Sequence, residues 1–223
     1  MDSPLVPTSF THVSTVLQPQ SPAPDYVDIP VFDTFSRLDS TRTKAMRRNG
    51  KRTELRNQTF RSNARKLAYK MFVKDIAPQA SKFDESALKF DPITSAAIDA
   101  CHLWEGAAIY PWDKIQDWKC KDDKGLDLAI WYEQKLCGLC YATPRRSTIC
   151  VKVILLQGHP DKMHPLRGWI APMALSVTDV YARMLGCKEI EIQDPDPNVV
   201  FYYQQLGFVF DQTGRLVIYL DGQ

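Results

Sequence analysis

The chain has 223 residues, of which 44% are hydrophobic and 24% are charged, and its formal net charge is +2. These values are ordinary for a soluble globular protein, and the length suits one domain with an appendage. No apolar run approaches the roughly 18 residues of a membrane span, and the start MDSPLVPTSF lacks the basic and apolar blocks of a secretory signal, so we expect a cytoplasmic protein without a membrane partner.

Six cysteines are spread along the chain, which in a protein of this length indicates reduced thiols rather than a disulfide framework. Cys137 and Cys140 have the spacing of a metal-binding pair, but no second pair lies nearby in the sequence. Because a zinc site needs four ligands at suitable spacing, we expect buried structural thiols and no metal.

The N-terminal third has two different compositions. Residues 1 to about 25 are rich in Pro, Ser and Thr with few charges, and we predict a flexible or surface-draped arm over residues 1–40. Within it, the more apolar run Tyr26–Phe35 could dock as an edge strand. Between residues 42 and 74 there are twelve Lys or Arg and one acid, Glu54, so this segment carries +11 and the rest of the chain −9. We therefore predict a basic helical extension over residues 41–75 and a separate domain over residues 76–223.

A basic segment joined to an acidic body is typical of binding to a nucleic acid or another polyanion. The alternative is a solvated helix that docks on the protein's own acidic body. The second half of the segment carries an apolar stripe that predicts packing: Leu67, Ala68, Met71 and Phe72. The first half precedes any such stripe, so we predict contacts to the phosphates of RNA or DNA from Arg47, Arg48, Lys51 and Arg52.

Helices and then strands are predicted in the middle of the chain. Ile93–Ala108 is rich in alanine, and Pro111 suits the first turn of a second helix. Two strand-like runs, residues 126–132 and 136–143, flank residues 133–135, and this pattern predicts a hairpin. The β-branched, apolar run Thr148–Gln157 predicts a central strand buried on both faces. The tryptophans of this region are expected in the core, namely Trp104, Trp112 and Trp118.

A helix, a strand and a second helix follow with clear boundaries. Apolar residues at helical spacing predict a helix over Pro172–Leu185, with Gly186 as its stop. Lys188–Gln193 alternates charged and apolar residues, which indicates a strand parallel to the central one. The two prolines of residues 194–197 favour a turn into a second helix at about Asn198, which ends at Gly207.

Two short segments of this region carry a family pattern: residues 185–192, LGCKEIEI, and Asn198 followed by Tyr202-Tyr203-x-x-Leu206-Gly207-Phe208. They resemble the GNAT superfamily of N-acyltransferases, and the similarity covers roughly residues 126–220. The resemblance implies an α/β fold, with a twisted mixed sheet flanked by helices. It also implies transfer of an acetyl or another acyl group from acyl-CoA to an amine, with acetyl-CoA as the donor.

The resemblance assigns the donor site to the central strand and the loop after it. By analogy the strand pairs with the amides of pantetheine at Ile154, Leu155 and Leu156. The pyrophosphate loop of the family corresponds to Arg167, Gly168, Trp169, Ile170 and Ala171, and Asn198 belongs to the same motif set. Ile170 and Pro172 depart from the family's small residues, and a proline removes one N–H from an anion-binding helix start.

The resemblance also suggests the catalytic groups. Tyr203 matches the family's proton donor to the leaving thiolate, with the alternative that it only packs the helix on the sheet. Glu191 is the candidate general base, directly or through water, although it could instead be exposed on an outer face. The acceptor that we predict is a nucleic acid or a nucleic-acid-associated molecule, and the alternative acceptor is a protein or small amine. A third hypothesis is that the protein is a catalytically inactive adaptor with the same fold.

Overall fold

One seven-stranded mixed sheet organises the chain. The computed structural model describes residues 47–75, 84–104, 110–161 and 163–220, with side chains in the first range described from residue 52 to 74. The sheet contains β1 (Leu88–Asp91), β2 (Leu126–Tyr132), β3 (Lys135–Thr143), β4 (Cys150–Gly158), β5 (Glu189–Ile192), β6 (Val209–Phe210) and β7 (Leu216–Tyr219). Its order is β1-β2-β3-β4-β5-β7-β6, and β4 with β5 is its parallel pair.

The predicted hairpin and central strand are confirmed. β2 and β3 pair antiparallel, and Glu133 and Gln134 between them have φ values of 47° and 66°. Two consecutive positive φ angles are the geometry of a two-residue hairpin turn whose twist matches that of the strands. β4 pairs with β3 on one edge and with β5 on the other, so it is central to the sheet.

Within the described residues, five α-helices flank the sheet: α1 (Arg47–Asp75), α2 (Ser95–His102), α3 (Ile115–Lys121), α4 (Ile170–Leu185) and α5 (Pro197–Gln205). Helix α4 begins two residues earlier than predicted and ends at Gly186, whose φ of 77° is accessible to glycine at little cost. Asp196 caps α5 by accepting a hydrogen bond from the Asn198 N–H at 2.7 Å. The helix, strand and helix predicted for residues 172–207 are therefore confirmed.

Two apolar clusters lie on opposite faces of the sheet. Helices α1, α4 and α5 cover one face, where Met173, Val177 and Tyr181 are fully buried. Helices α2 and α3 cover the other, and the three tryptophans predicted in the core are buried in that cluster. The region predicted as one helix over Ile93–Ala108 contains α2, while residues 105–109 lie outside the described residues.

Helix α1 lies on the body rather than projecting from it. Ala64, Ala68 and Phe72 recur at intervals of four and are buried against the core. Leu67 and Met71, predicted to share that stripe, are instead 44% and 48% exposed. The prediction was wrong for these two residues because the helix turns its small alanines toward the body, which rotates Leu67 and Met71 outward.

Part of the N-terminal prediction lies outside the described residues, namely the arm over residues 1–40 and the segment 41–46. The basic extension predicted for residues 41–75 contains α1, and the proposed boundary near residue 76 stays a prediction. None of the described helices is both long enough and apolar enough to cross a membrane.

Candidate active site

The two parallel strands separate part-way along their length. β4 and β5 are in register from Cys150 with Glu189 to Val153 with Ile192, and the Gln193 N–H donates to the Val153 carbonyl at 3.0 Å. Beyond this point β4 continues to Gly158, while the chain after β5 turns into α5. The β5-facing edge of residues 154–158 therefore has no strand partner within the described residues.

A β-bulge marks the point of separation. Ala142 of β3 faces Val153 and Tyr141 faces Leu155, so Ile154 is an extra residue on β4. Ile154 and Leu155 both pack toward the α2–α3 cluster, and Leu156 packs toward α4. The three residues assigned to pantetheine by the resemblance thus lie at the bulge and along the open edge.

The loop before α4 lies at the same end of the sheet. Gly168 has a φ of 82°, and its carbonyl accepts a hydrogen bond from the Tyr202 hydroxyl at 3.1 Å. The ring of Trp169 packs edge-on against Phe72 with centroids 5.8 Å apart. Arg167 is exposed, and Ala171 is half-buried in the first turn of α4. This loop is therefore held by α5 on one side and by α1 on the other.

Ile170 has a structural role in this turn. A Cβ on Gly138 would lie 2.4 Å from Ile170 Cγ2, and one on Gly158 would lie 3.6 Å from Ile170 Cγ1. The Ile170 side chain thus fills the space between α4 and the glycines of β3 and β4 rather than the outer side of the loop. The first N–H groups of a helix have no acceptor within the helix, and at the start of α4 one of them is missing because Pro172 has none.

Tyr203 lies deep between α5 and the sheet. It is 9% exposed, and its ring contacts Phe208 and Tyr202 at centroid distances of 5.9 and 6.0 Å. Burial raises the pKa of Tyr203 well above its ordinary value, and nearby Tyr110, Cys140 and Tyr202 raise it further. The phenol therefore stays protonated at neutral pH, as a proton donor must.

Glu191 is held by two cations. Its carboxylate accepts hydrogen bonds from Lys152 at 2.7 Å and from Arg215 at 3.3 Å, and it is 5% exposed. Arg215 also bonds Glu189 at 2.8 Å, which joins β5 to β7. Because both oxygens already accept hydrogen bonds, proton abstraction by Glu191 would require the ion pairs to open, and its role as a base stays a prediction.

The remaining predicted residues lie on α5 and α1. Asn198 is exposed in the first turn of α5. Arg52 is exposed on α1, and Arg47, Arg48 and Lys51 precede it in the same helix, outside the range of described side chains. The structure thus groups residues 154–156, 167–171 and Tyr203 at one end of the sheet, and it places the basic cluster elsewhere.

No sequence pattern pointed to a function for four further residues of this region, namely Tyr110, Trp112, Gln157 and Asp196. Trp112 Nε1 donates to the buried Gln157 Oε1 at 2.7 Å, which ties the α2–α3 region to the open end of β4. Burial raises the pKa of Tyr110 to about 12, and Asp196 contributes to that shift. Tyr110 in turn raises the pKa of Tyr203. The carboxylate of Asp196 and the phenols of Tyr110 and Tyr203 therefore lie near one another. Only the alternation of Gln157 within an apolar strand could have drawn attention to it.

Two histidines stack in the loop between β4 and α4. The rings of His159 and His164 are 4.8 Å apart, and Trp104 lies edge-on to His159. His164 Nδ1 accepts a hydrogen bond from the Leu166 N–H at 3.2 Å, so the ring is neutral there. Burial, followed by His159, lowers the pKa of His164 to about 4.

This shift predicts a pH-dependent stability. Between pH about 6.5, where a histidine titrates in the unfolded chain, and about 4, the unfolded state binds a proton that the folded state does not. The free energy of unfolding should therefore fall by about 2 kcal/mol from pH 7 to pH 5 through His164. In His164→Asn the amide oxygen can accept the Leu166 N–H, as in an Asx turn, and does not titrate. Urea unfolding should show a smaller pH difference in this variant, and an unchanged difference would contradict the assignment.

The cysteines of the described residues are free thiols. Cys137 and Cys140 are buried, and burial raises the pKa of each to about 12. Thiols of this kind are unreactive at neutral pH because the thiolate is the reactive form. Among the described side chains, no group of three or more His, Cys, Asp or Glu residues is placed to hold a metal ion.

Several solved acetyltransferase structures are similar to part of this chain, each with a TM-score below 0.5. Ard1 from Thermoplasma volcanium superposes with a TM-score of 0.47 and 11% identity, over 61% of this chain and 99% of that one. The structure of yncA from Salmonella typhimurium, solved with acetyl-CoA, superposes with a TM-score of 0.45 and 16% identity, over 61% of this chain and 96% of that one. The aminoglycoside 6'-N-acetyltransferase from Enterococcus faecium superposes with a TM-score of 0.45 and 8% identity, over 60% of this chain and 98% of that one.

These similarities concern the fold and are too low to assign an activity. No protein-family model matches the sequence, and no curated protein is significantly similar to it. The sheet order, the parallel pair β4–β5 and the flanking helices nevertheless agree with the α/β mixed-sheet fold expected from the family resemblance. The fold prediction is therefore confirmed on the chain's own topology.

Proposed function

We propose that the protein is an acyl-CoA-dependent N-acyltransferase that uses acetyl-CoA or a related thioester as donor and an amine as acceptor. The observation that carries this proposal is the edge of β4 from Ile154 to Gly158 that no strand of the described residues covers. An extended ligand with amide groups can add to such an edge as a strand, and pantetheine is a ligand of this kind. The loop at residues 167–171 lies at the same end of the sheet, where the first N–H groups of α4 suit a pyrophosphate.

The reaction requires three events at this opening. The amine nitrogen attacks the thioester carbonyl, the carbon–sulfur bond breaks, and one proton passes from the nitrogen to the departing sulfur. Backbone N–H groups at the bulge can hold the carbonyl oxygen as it gains negative charge. Tyr203 is the group we assign to the sulfur, since its phenol is protonated and lies between α5 and the sheet.

Donor binding can be tested with two glycines of matched backbone geometry. Gly168 in the donor loop has a φ of 82°, and Gly214 in the turn before β7 has a φ of 81°. An alanine at either position is strained by roughly 1–2 kcal/mol, but only Gly168→Ala changes the proposed donor loop. Calorimetric titration with CoA and acetyl-CoA should therefore show saturable binding to the wild type and to Gly214→Ala, and weaker binding to Gly168→Ala. Failure of the wild type to bind either ligand would contradict the proposal.

For the acceptor, we propose a nucleic acid or a molecule associated with one. The support is the one-sided charge of α1, which has no acid in its first turn and begins with the cluster Arg47, Arg48, Lys51 and Arg52. A protein or small amine as acceptor, with α1 serving only as structure, is the alternative. The departures at Ile170 and Pro172 would favour an inactive adaptor, although Ile170 is accounted for by its packing on Gly138 and Gly158.

A further inference from the structure

The solvent-facing side of α1 is a row of cations along the whole described helix. Arg52, Arg56, Lys66, Lys70 and Lys74 are all exposed. At 100° per residue they lie within a sector of roughly 80°, opposite the buried residues Ala64, Ala68 and Phe72. Thr59 and Asn63 fill the gap in the row, and no acid lies on this side. We call these five cations the α1 cation row.

The protein's own acidic body does not neutralise this row. Arg61 and Arg65, on the docked side of α1, donate to the carbonyls of Asp123, Gly125 and Asp127. Among the described residues no ion pair involves any member of the α1 cation row, whereas Arg65 is paired with Asp127. The docking of the helix therefore uses two arginines and leaves five cations for another partner.

A surface pocket adjoins the N-terminal half of the row. It has a volume of about 190 Å³ and lies between Arg56, Lys124 and the last turn of α4. Its other lining residues are uncharged: Phe60, Pro144, Ser147, Thr148, Met184, Leu185 and Cys187. A pocket with two cations and no acid at its wall extends the positive surface from the helix onto the body.

We propose that the α1 cation row is the docking surface for a double-helical nucleic acid. The row from Arg52 to Lys74 is about 33 Å long at the rise of an α-helix, which is close to one turn of duplex, roughly 34 Å. A rigid row of cations matches the rigid, regular phosphates of a duplex, and binding of this kind reads the backbone rather than the bases. Single strands are instead held by stacking on exposed aromatic rings, whereas the ring that borders this side of α1, that of Phe60, is half-buried and lies under the Arg56 guanidinium at 5.8 Å.

The row also leads to the proposed donor site. Helix α1 runs along α4 from Arg56, near Leu185, to Phe72, which packs on Trp169 of the donor loop. Lys74 therefore ends the row beside that loop, and a duplex lying on α1 brings one end toward the strand opening. This step rests on the proposed function, because only an acyltransferase would have a use for a duplex-borne amine at this position.

Binding of short duplexes at several salt concentrations tests the docking surface. We expect the full-length protein to bind a 20-base-pair DNA or RNA duplex more tightly than a single strand of the same length. The logarithm of the binding constant should fall with the logarithm of salt by about 0.9 per phosphate contacted. The triple variant with Lys66, Lys70 and Lys74 changed to Gln should reduce that slope by about 2.7. The variant with Arg47, Arg48, Lys51 and Arg52 changed to Ala should reduce it as well.

A charge-matched control separates position from net charge. Changing Lys89, Lys114 and Lys135, which are exposed on other surfaces, to Gln removes the same three charges and should leave the slope unchanged. Equal loss in both triple variants, binding to polyglutamate or a single strand as tight as to duplex, or no salt-dependent binding would overturn the inference. Calorimetric titration of CoA into the same proteins tests the donor site separately, so failure of the duplex surface and failure of the acyltransferase proposal give different results.

Discussion

Replacing Tyr203 by Phe should lower the turnover of acetyl-CoA by roughly 10²-fold while donor affinity changes little. The substitution removes only the hydroxyl, and the ring contacts to Phe208 and Tyr202 stay. General acid catalysis contributes about 10²–10⁴-fold. We expect the lower end because a phenol is already a weaker acid than a thiol, and burial, which raises the pKa of Tyr203, makes full proton transfer to the departing thiolate less favourable. It should act mainly by donating a hydrogen bond to the sulfur as negative charge develops.

Tyr202→Phe provides the matched control for this experiment. Tyr202 lies next in sequence, and its hydroxyl donates to the Gly168 carbonyl rather than toward the sheet. Losing this bond removes about 0.5–1.5 kcal/mol from the attachment of the donor loop, so KM for acetyl-CoA should rise by up to about tenfold. Release of free CoA, with and without a panel of amines, measures both parameters. The assignment fails if Tyr203→Phe turns over like the wild type, or if both variants change only KM.

Local sequence patterns predicted the elements that lie around the strand opening. The apolar periodicity of α4, its glycine stop and the alternation of β5 all depend on residues close in sequence. The β2–β3 turn likewise follows from three consecutive residues between two strand-like runs. For these elements the side-chain pattern and the tertiary contacts favour the same structure, so the sequence was sufficient.

The predictions that needed correction depended on contacts between distant residues. In the sequence, Ile170 departs from the small residues of the family's pyrophosphate loop, which suggested an impaired donor site. Its packing partners are Gly138 and Gly158, which the fold brings under the helix. Likewise, the charge count of residues 42–74 could not separate Arg61 and Arg65, which dock, from the cations that face solvent. That separation depends on which side of α1 meets the sheet.

The environment of Glu191 in the candidate site also depends on a residue that is distant in sequence. Its spacing from Glu189 placed both side chains on one side of a strand, which is what the structure has. The sequence offered no reason to expect Arg215, which lies 24 residues away and bonds both carboxylates. A carboxylate with that partner stabilises the sheet between β5 and β7, and only an activity measurement can add a catalytic role to it.

Asp127→Ala should have the largest effect on stability, a loss of about 3–5 kcal/mol in the free energy of unfolding. Asp127 is 1% exposed on β2. Its Oδ2 accepts hydrogen bonds from the Ile93 N–H at 2.8 Å and from Lys119 Nζ at 2.7 Å. Its Oδ1 lies 3.9 Å from the Arg65 guanidinium. One carboxylate thus joins α1, α3 and the segment before α2 to the sheet.

The expected loss comes mainly from the groups left behind. Burial already lowers the pKa of Arg65, and Asp127 is the strongest opposing influence. Removing the carboxylate leaves a largely buried cation near Arg61 with only weaker influences, such as that of Asp91, to oppose its desolvation. Asp179→Ala is the control, since it breaks only the surface pair with Arg183 and should cost less than about 1 kcal/mol. Urea denaturation measures both variants. A loss of similar size in the two would contradict the role of Asp127.

A second variant separates the buried charge from the shape of the site. Changing Asp127 to Leu and Arg65 to Met together removes both charges and keeps apolar volume, and replacements of this kind are often nearly neutral. We expect this double variant to recover most of the stability lost in Asp127→Ala, although the Ile93 N–H stays unpaired at a cost of about 1–3 kcal/mol.

Because Arg65 lies on the docked side of α1, Asp127→Ala should also loosen that helix before the sheet unfolds. Limited trypsin digestion should then cut at Arg52 or Arg56 sooner than in the wild type, and duplex binding along α1 should weaken with it.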